Sequence, residues 1–199
     1  MQTKFFRVRA SFTQPVPSDW RDQLVTLLGN RPRRLSTWCE LGLFGALTCL
    51  QPHFLSTGKS ALSSDIAIKL ITQLGSIVAS KKAIAQMRDG LPMPFTFMQT
   101  LTGQLFNALG AALGWHGDGV TTAALNTSMG EVALLASLKC SSLFAYVDDV
   151  PAPVSAWIWL EPVDALDALE WVAIESLFAI KPSAQWIKLD QQQRLFQAQ

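Results

Sequence analysis

Residues 120–138 read VTTAALNTSMGEVALLASL, and this segment constrains the fold more than any other part of the chain. Small and apolar residues fill 120–125, which is the composition of a buried strand. A polar turn follows, and residues 127–139 are predicted to form a helix. A strand that runs into a helix through a tight turn is a building unit of layered α/β domains. Many enzymes place a nucleophile at such a turn.

Further helices and strands are predicted around this unit. Ser36 is a candidate N-cap, Pro52 is expected to stop a helix, and Gly42 and Gly45 indicate close packing against another backbone. Residues 53–58 predict a short strand or a turn. Strands are predicted over 4–13, 141–150, 155–162 and 170–178. Helices are predicted over 19–29 (with Ser18 as its cap), 31–52, 63–87 (either continuous or interrupted near Gly75) and 95–115.

The order of these segments predicts an α/β protein in which helices pack against a mixed sheet. No internal repeat and no low-complexity linker divides the chain, so we expect a single domain over residues 1–190. Residues 191–199 read QQQRLFQAQ, and we expect them to form a polar, frayed tail.

The chain is unusually apolar, with 49% hydrophobic and only 16% charged residues. A soluble domain usually has about 25% charged residues. One interpretation is a large, tight core; the other, which we favour, is an extensive subunit interface, because obligate interfaces resemble a divided core.

Charge is distributed unevenly along the chain. Residues 1–99 contain 12 Lys/Arg and 5 Asp/Glu (+7), whereas residues 100–199 contain 4 and 10 (−6). The two halves could neutralise each other within one domain, or a basic face could meet an acidic partner. The basic loop RPRR (31–34) has the same two interpretations, a solvated loop or a contact for an acidic carrier protein. The net charge of +1 gives no argument for nucleic acid.

The sequence predicts a cytoplasmic protein with no membrane span. The most apolar runs, 41–50 and 105–115, are shorter than the roughly 20 residues that a spanning helix needs. The first residues carry charge where a signal peptide would be apolar. The three cysteines show no CxxC spacing, and we expect them to be reduced and buried in the core. They are Cys39, Cys49 and Cys140.

The turn at 126–130 is a poor match to a serine nucleophile. The α/β-hydrolase motif G-x-S-x-G requires a small residue two positions before the serine, and Asn126 occupies that position before Ser128. The histidine of that motif follows the serine, but His53 and His116 both precede it. We therefore expect Ser128 to cap the following helix, and a small serine hydrolase remains the alternative function.

No metal or cofactor site is predicted. The histidines and cysteines share no ligand spacing, and HGDG (116–119) has the composition of a turn. The acids of VDDV (147–150) could hold a divalent cation, but acids at a strand end more often face water. GKSALSS (58–64) lacks the spacing of a phosphate-binding loop.

Several stretches in the same order resemble known proteins. LPMPFTFMQTLTGQLFNALG (with Gly103), GWHGDGVTTAALN and TSMGEVALLASL resemble the N-terminal half of a β-ketoacyl synthase. RRLSTWCELGLFGAL, PMPFTFMQTLTGQLF and LFAYVDDVPAP are similar to half-length ketosynthase chain length factors of aryl polyene biosynthesis. The resemblance spans about residues 1–160, and it implies half of a thiolase-like fold.

The resemblance also implies a function without catalysis. Asn126 matches the position of the nucleophilic cysteine in that family, and an asparagine cannot carry an acyl thioester. The basic residues that assist decarboxylation belong to the second half of a ketosynthase, which this sequence does not match. We therefore expect an inactive chain length factor that forms an obligate heterodimer with a full-length ketosynthase, stabilises it and shapes its acyl tunnel. The growing chain is carried by an acyl carrier protein, and no cofactor is implied.

Two groups of residues follow from this resemblance. In the family, subunits pair through the strand before the nucleophile, here Val120, Thr121, Thr122, Ala123, Ala124 and Leu125. The loop and helix before that strand line the partner's acyl tunnel, so bulky side chains there are candidates for the wall that limits chain length; the alternative is that they are ordinary core side chains. The candidates are Met93, Phe95, Phe97, Met98 and Leu101.

Overall fold

The computed structural model describes residues 2–58, 61–91 and 93–199. Its strands are β1 (Lys4–Phe12), β2 (Ala67–Thr72), β3 (Gly119–Ala123), β4 (Ser142–Asp148), β5 (Val154–Val163), β6 (Trp171–Ile174), β7 (Trp186–Leu189) and β8 (Leu195–Ala198). Its helices are α1 (Trp20–Leu28), α2 (Thr37–Thr57), α3 (Ile77–Arg88), α4 (Pro94–Met98), α5 (Gly103–Leu113) and α6 (Thr127–Ala136), with a 3₁₀ turn at Leu177–Ala179.

The eight strands form one mixed sheet in the order β3-β2-β4-β5-β1-β7-β8-β6. The three strands at one end, β3, β2 and β4, are parallel, and the remaining pairs are antiparallel. Helices pack on this sheet, so the predicted mixed α/β architecture is confirmed. Within the described ranges, β3 and β6 are the two edge strands.

The core has one apolar cluster on each face of the sheet. On the first face α1, α2 and α5 cover the sheet, with Trp38, Trp157 and Leu105 fully buried. On the second face α6 and the 3₁₀ turn pack around Phe6 and Phe144. Two glycines allow α2 to pack closely on the first face, because a side chain at Gly42 would meet Leu105 and one at Gly45 would meet Trp157. The predicted close packing is therefore present, but against side chains rather than another backbone.

The prediction of a helix over 63–87 is wrong for the part before Gly75, which forms strand β2, whereas helix α3 follows the interruption expected near Gly75. Strand β2 lies between β3 and β4, and five of its six residues are buried. A strand buried on both faces has a continuous apolar run, which periodicity alone does not distinguish from a buried helix.

Helix boundaries differ from the predictions in three places. Pro52 lies inside α2, at an exposed position, and the helix continues through 53–57 to a left-handed Gly58, so the strand or turn expected over 53–58 is wrong. The single helix expected over 95–115 is broken into α4 and α5. Asp19, rather than Ser18, occupies the N-cap of α1, whereas the Ser36 hydroxyl accepts from the Cys39 N–H as predicted.

Residues 191–199 do not form a frayed tail. Strand β8 lies between β7 and β6 in the sheet, and Leu195 is buried in the second core cluster. The turn before it is closed by Asp190, whose carboxylate accepts hydrogen bonds from the backbone N–H groups of Gln192 and Arg194. Those bonds lower the pKa of Asp190.

The expectation of three core cysteines holds for two of them. Cys39 and Cys49 are free and buried, and burial raises the pKa of the Cys39 thiol to about 11. Cys140 is free but exposed, because it lies in the loop before β4. None of the helices in the described ranges is both long and apolar enough to cross a bilayer.

Candidate functional site

The candidate site lies where the parallel strands β3, β2 and β4 end. Because parallel strands end at the same edge of a sheet, the loops that follow them come together. The Gln73 side-chain amide donates to the Leu125 carbonyl at 3.2 Å, and the Ala124 N–H donates to the Thr72 carbonyl at 3.0 Å. These bonds join the loop after β2 to the turn that contains Asn126.

Asp148 fixes the loop after β2. Its carboxylate accepts from the Thr72 hydroxyl at 2.6 Å and from the backbone N–H groups of Gln73 (2.9 Å) and Leu74 (3.0 Å). Only 2% of Asp148 is exposed, so the expectation that this acid faces water is wrong. Its oxygens are bonded to protein donors. In the residues that the structure describes, no group of three His, Cys, Asp or Glu side chains is placed to hold a metal ion.

Asn126 is an ordinary helix cap. Its backbone is extended (φ −108°, ψ 102°), and its side-chain oxygen accepts from the Met129 N–H at 3.3 Å. The cap of α6 was predicted to be Ser128, and that prediction is wrong. The Ser128 hydroxyl donates to the Glu175 carbonyl at 3.3 Å instead.

The geometry does not support a serine nucleophile at this turn. An activated serine needs a base within hydrogen-bonding distance of its hydroxyl. The His53 ring packs against Trp159, with 4.7 Å between ring centroids, and the backbone N–H of His116 donates to the Ser64 hydroxyl, which places this residue beside the loop before β2. Neither histidine forms a hydrogen bond with Ser128 in the part of the chain that the structure describes.

The strand before Asn126 is an edge strand rather than the buried strand that its composition predicted. β3 pairs with β2 on one side, and its other side has no strand in the described part of the chain. The strand ends at Ala123, so Ala124 and Leu125 lie in the turn. Val120 is 41% exposed and Leu125 is 91% exposed. An uncovered edge with apolar side chains is typical of a surface that pairs with another chain.

The five chain-length candidates lie on or beside α4, and all of them are exposed. The alternative that they are core side chains of this chain is therefore wrong. Met87 and Leu91, which precede α4, are also exposed, and we call these seven apolar side chains the α4 surface. An open hollow of about 380 Å³ lies between α3 and α4 within it. It is lined by Ala83, Gln86, Met87, Met93, Pro94 and Phe97.

A buried carboxyl group anchors α6, and sequence reasoning missed it. Glu131 accepts from the Ser176 hydroxyl at 2.9 Å and from the Leu177 N–H at 2.6 Å, which ties the helix to the 3₁₀ turn. Burial raises the pKa of Glu131, and burial with the nearby carboxylate of Asp148 raises the pKa of Tyr146 to about 12. The only signal in the sequence was a single acid in an otherwise apolar helix.

The raised pKa of Glu131 predicts a pH dependence of stability. The native state holds this proton more tightly than the unfolded state, so stability is lost as pH rises above the ordinary value of 4.5. In Glu131→Gln this loss is absent, because the amide does not ionise. We expect the free energy of unfolding of the wild type to fall relative to that of the variant between about pH 4 and pH 8. Urea titrations across this range measure the difference.

The difference between wild type and Glu131→Gln also removes the contribution of other carboxyl groups whose pKa values are raised in the native state. Burial raises the pKa values of Glu40 and Asp149, and both residues are unchanged in the variant. If the free energies of unfolding of wild type and Glu131→Gln change with pH in parallel, the raised pKa of Glu131 is contradicted.

The fold is shared with chains of solved ketosynthase and chain length factor complexes, as the sequence resemblance predicted. No protein-family model matches the chain, and no curated protein matches it significantly. Among solved structures, it is similar to a chain of the ketosynthase ApeO in complex with its chain length factor ApeC from Xenorhabdus doucetiae. That likeness has a TM-score of 0.51 and 14% identity, over 87% of this chain and 83% of that chain.

A second similar structure is the ishigamide ketosynthase/chain length factor. The TM-score is 0.51 with 10% identity, and the match covers 82% of this chain but 59% of that chain. At these identities the likeness establishes a shared fold.

Proposed function

We propose that this chain is a chain length factor, a non-catalytic subunit that pairs with a full-length ketosynthase. It stabilises that enzyme and shapes the tunnel in which a polyene chain grows on an acyl carrier protein. The observation that carries the proposal is Asn126: an amide caps α6 at the end of an uncovered edge strand, at the position that the resemblance assigns to the acylated cysteine. The fold shared with ketosynthase and chain length factor chains supports it.

The chemistry of Asn126 favours a structural role. Covalent acyl transfer needs an activated thiolate, hydroxyl or amine, and a carboxamide is none of these. The side-chain oxygen of Asn126 is bonded to the Met129 N–H, so the residue stabilises the start of the helix. In this proposal the acyl group is carried by the cysteine of the partner.

The edge of β3 is the proposed pairing surface. A free strand edge offers a row of backbone donors and acceptors to a second strand. Val120, Leu125 and Met129 add exposed apolar side chains beside this row. Burying them against a partner stabilises the complex by about 25 cal/mol for each Å² of apolar surface removed from water.

The α4 surface is the proposed wall of the acyl tunnel. Its methionine and phenylalanine side chains are exposed in this chain, and a ketosynthase that covers them would enclose them in an apolar cavity. A growing chain gains about 0.8 kcal/mol for each CH₂ group that it buries. Growth stops where the next unit would overlap a bulky side chain.

Co-expression with a full-length, cysteine-bearing ketosynthase tests the assignment. We expect the two chains to co-purify in equal amounts. After incubation with acyl-loaded carrier protein, intact mass spectrometry is expected to find the acyl adduct on the ketosynthase and none on this chain. The Asn126→Asp variant, which keeps a capping oxygen, is expected to assemble and behave in the same way. An acyl adduct on this chain in the absence of a partner would contradict the proposal.

Replacement of side chains on the α4 surface tests the tunnel. In the co-purified complex, Phe97→Ala and Met98→Ala are expected to lengthen the main product by about one or two extension units, because each removes bulk from the wall. Chromatography of the products by length is the measurement. Leu55→Ala is the matched control, since Leu55 is also apolar and exposed but lies on α2. Equal shifts in all three variants, or no shift in the first two, would argue against this role of α4.

A further inference from the structure

Helix α4 is too short to hold its own position. It contains five residues, fewer than an isolated helix needs in water. Its orientation therefore depends on contacts with its neighbours. Two hydrogen bonds hold the segment after it: the Gln99 side-chain amide donates to the Leu35 carbonyl at 3.2 Å, and the Ser76 hydroxyl donates to the Thr100 carbonyl at 2.6 Å.

A third contact reaches the helix itself from the basic loop 31–34. The guanidinium of Arg34 lies over the ring of Phe95, 4.6 Å from its centroid. This distance is within the range of an attractive cation–π contact. Arg7, Arg9, Arg21 and Arg194 each have a carboxylate partner, whereas Arg34 forms no ion pair within the described ranges. In the part of the chain that the structure describes, the ring of the chain-length candidate Phe95 is the one group with which its guanidinium makes a specific contact.

The backbone of Arg34 is strained. Its φ is +67°, in the left-handed region that favours glycine and asparagine over a long side chain. A non-glycine residue stays in this region only where the surrounding structure determines it, and such residues are concentrated at functional sites. A glycine or an asparagine would fit this backbone more easily, so the backbone conformation does not account for an arginine at this position.

We propose that Arg34 is a positioning residue for chain-length control: it holds Phe95, and with it α4, in the orientation that closes the acyl tunnel. This inference rests on the proposed function and gives the basic loop a role other than solvation or contact with an acidic partner. Without the guanidinium, the exposed Phe95 ring is free to change rotamer. Helix α4 then loses the contact that its Phe95 side chain makes with the basic loop 31–34. The position of the proposed tunnel wall, and with it the length at which chain growth stops, then becomes less sharply defined.

Three variants in the co-purified complex test the proposal. Arg34→Asn removes the cation but suits the left-handed backbone, Arg34→Lys keeps a cation, and Arg33→Asn is the control because Arg33 contacts no ring in the described part of the chain. Product length is measured together with amide hydrogen exchange of residues 94–99. We expect Arg34→Asn to assemble normally, to give longer and more varied products, and to exchange about 3-fold faster over 94–99. Arg34→Lys is expected to keep product length and the exchange of 94–99 close to those of the wild type, and Arg33→Asn is expected to change neither.

The two readouts separate this proposal from the proposed function. If the wild type does not assemble with a ketosynthase, the proposed function fails, and exchange of 94–99 in the chain alone decides whether Arg34 positions α4. Unchanged products and exchange in Arg34→Asn would overturn the inference. The same shift in Arg33→Asn would also overturn it, because loop charge rather than the ring contact would then be the cause.

Discussion

Val120→Glu is expected to abolish recovery of the complex with a ketosynthase while leaving the fold of this chain intact. Val120 lies on the edge strand β3, where the partner is proposed to pair. A carboxylate there would be buried without a cation from the partner, which weakens association by about 100-fold or more. Lys69 lies opposite position 120 on β2 and can pair with the glutamate in the free chain, so the variant is expected to fold, and the loss of affinity comes from removing this ion pair from water at the interface.

The chain contains a closely matched control for this experiment. Val172 lies on β6, the opposite edge of the same sheet, and is 38% exposed against 41% for Val120. Val172→Glu is expected to co-purify with the ketosynthase as well as the wild type does. Affinity purification followed by size-exclusion chromatography measures both variants. Loss of the complex in both variants, or in neither, would show that β3 is not the pairing edge.

Trp38→Ala is expected to lower the free energy of unfolding by about 4 kcal/mol. Trp38 is fully buried between α2 and the sheet, and its indole N–H donates to the Val147 carbonyl at 2.9 Å. The variant leaves a large cavity and removes a buried hydrogen bond, and both effects destabilise the native state. Urea unfolding followed by far-UV circular dichroism gives the free energy.

Trp171→Ala is the comparison for the core variant. Trp171 lies on edge strand β6, is partly exposed, and packs against Phe5 and Lys188 on the outer surface of the sheet. Its removal is expected to cost less, about 2 kcal/mol, since the side chain is only partly buried on an edge strand and leaves no enclosed cavity. Similar losses for the two tryptophans would contradict the assignment of Trp38 to the core.

The fold could be predicted from the sequence where a local signal was strong. The strand, the turn and the helix around Asn126 follow from small apolar residues, a polar break and an apolar run. Strand β2 was missed because its burial on both faces removes the alternation that identifies a half-buried strand. Strands β7 and β8 were missed because each has only four residues, which is the shortest length over which an alternating pattern can identify a strand.

The site could be predicted only in part, because only some of its features are determined by local sequence. The position of Asn126 at a turn is a local property and was predicted, whereas the exposure of α4 depends on the break between α4 and α5, which was not predicted. The burial of Asp148 and Glu131 depends on partners far away in sequence: Asp148 bonds the loop after β2, and Glu131 bonds Ser176 and Leu177. No pattern within either segment specifies such a partner, because the sheet order brings the two segments together.

The uncovered edge of β3 has a consequence for how the chain is made. A strand edge with apolar side chains is a template on which further copies can add. Under the proposed pairing, every copy synthesised in excess of its ketosynthase leaves that template open. Balanced synthesis of the two subunits therefore protects the cell from aggregation, and the soluble yield is expected to follow the ratio of the two messages rather than the amount of either one.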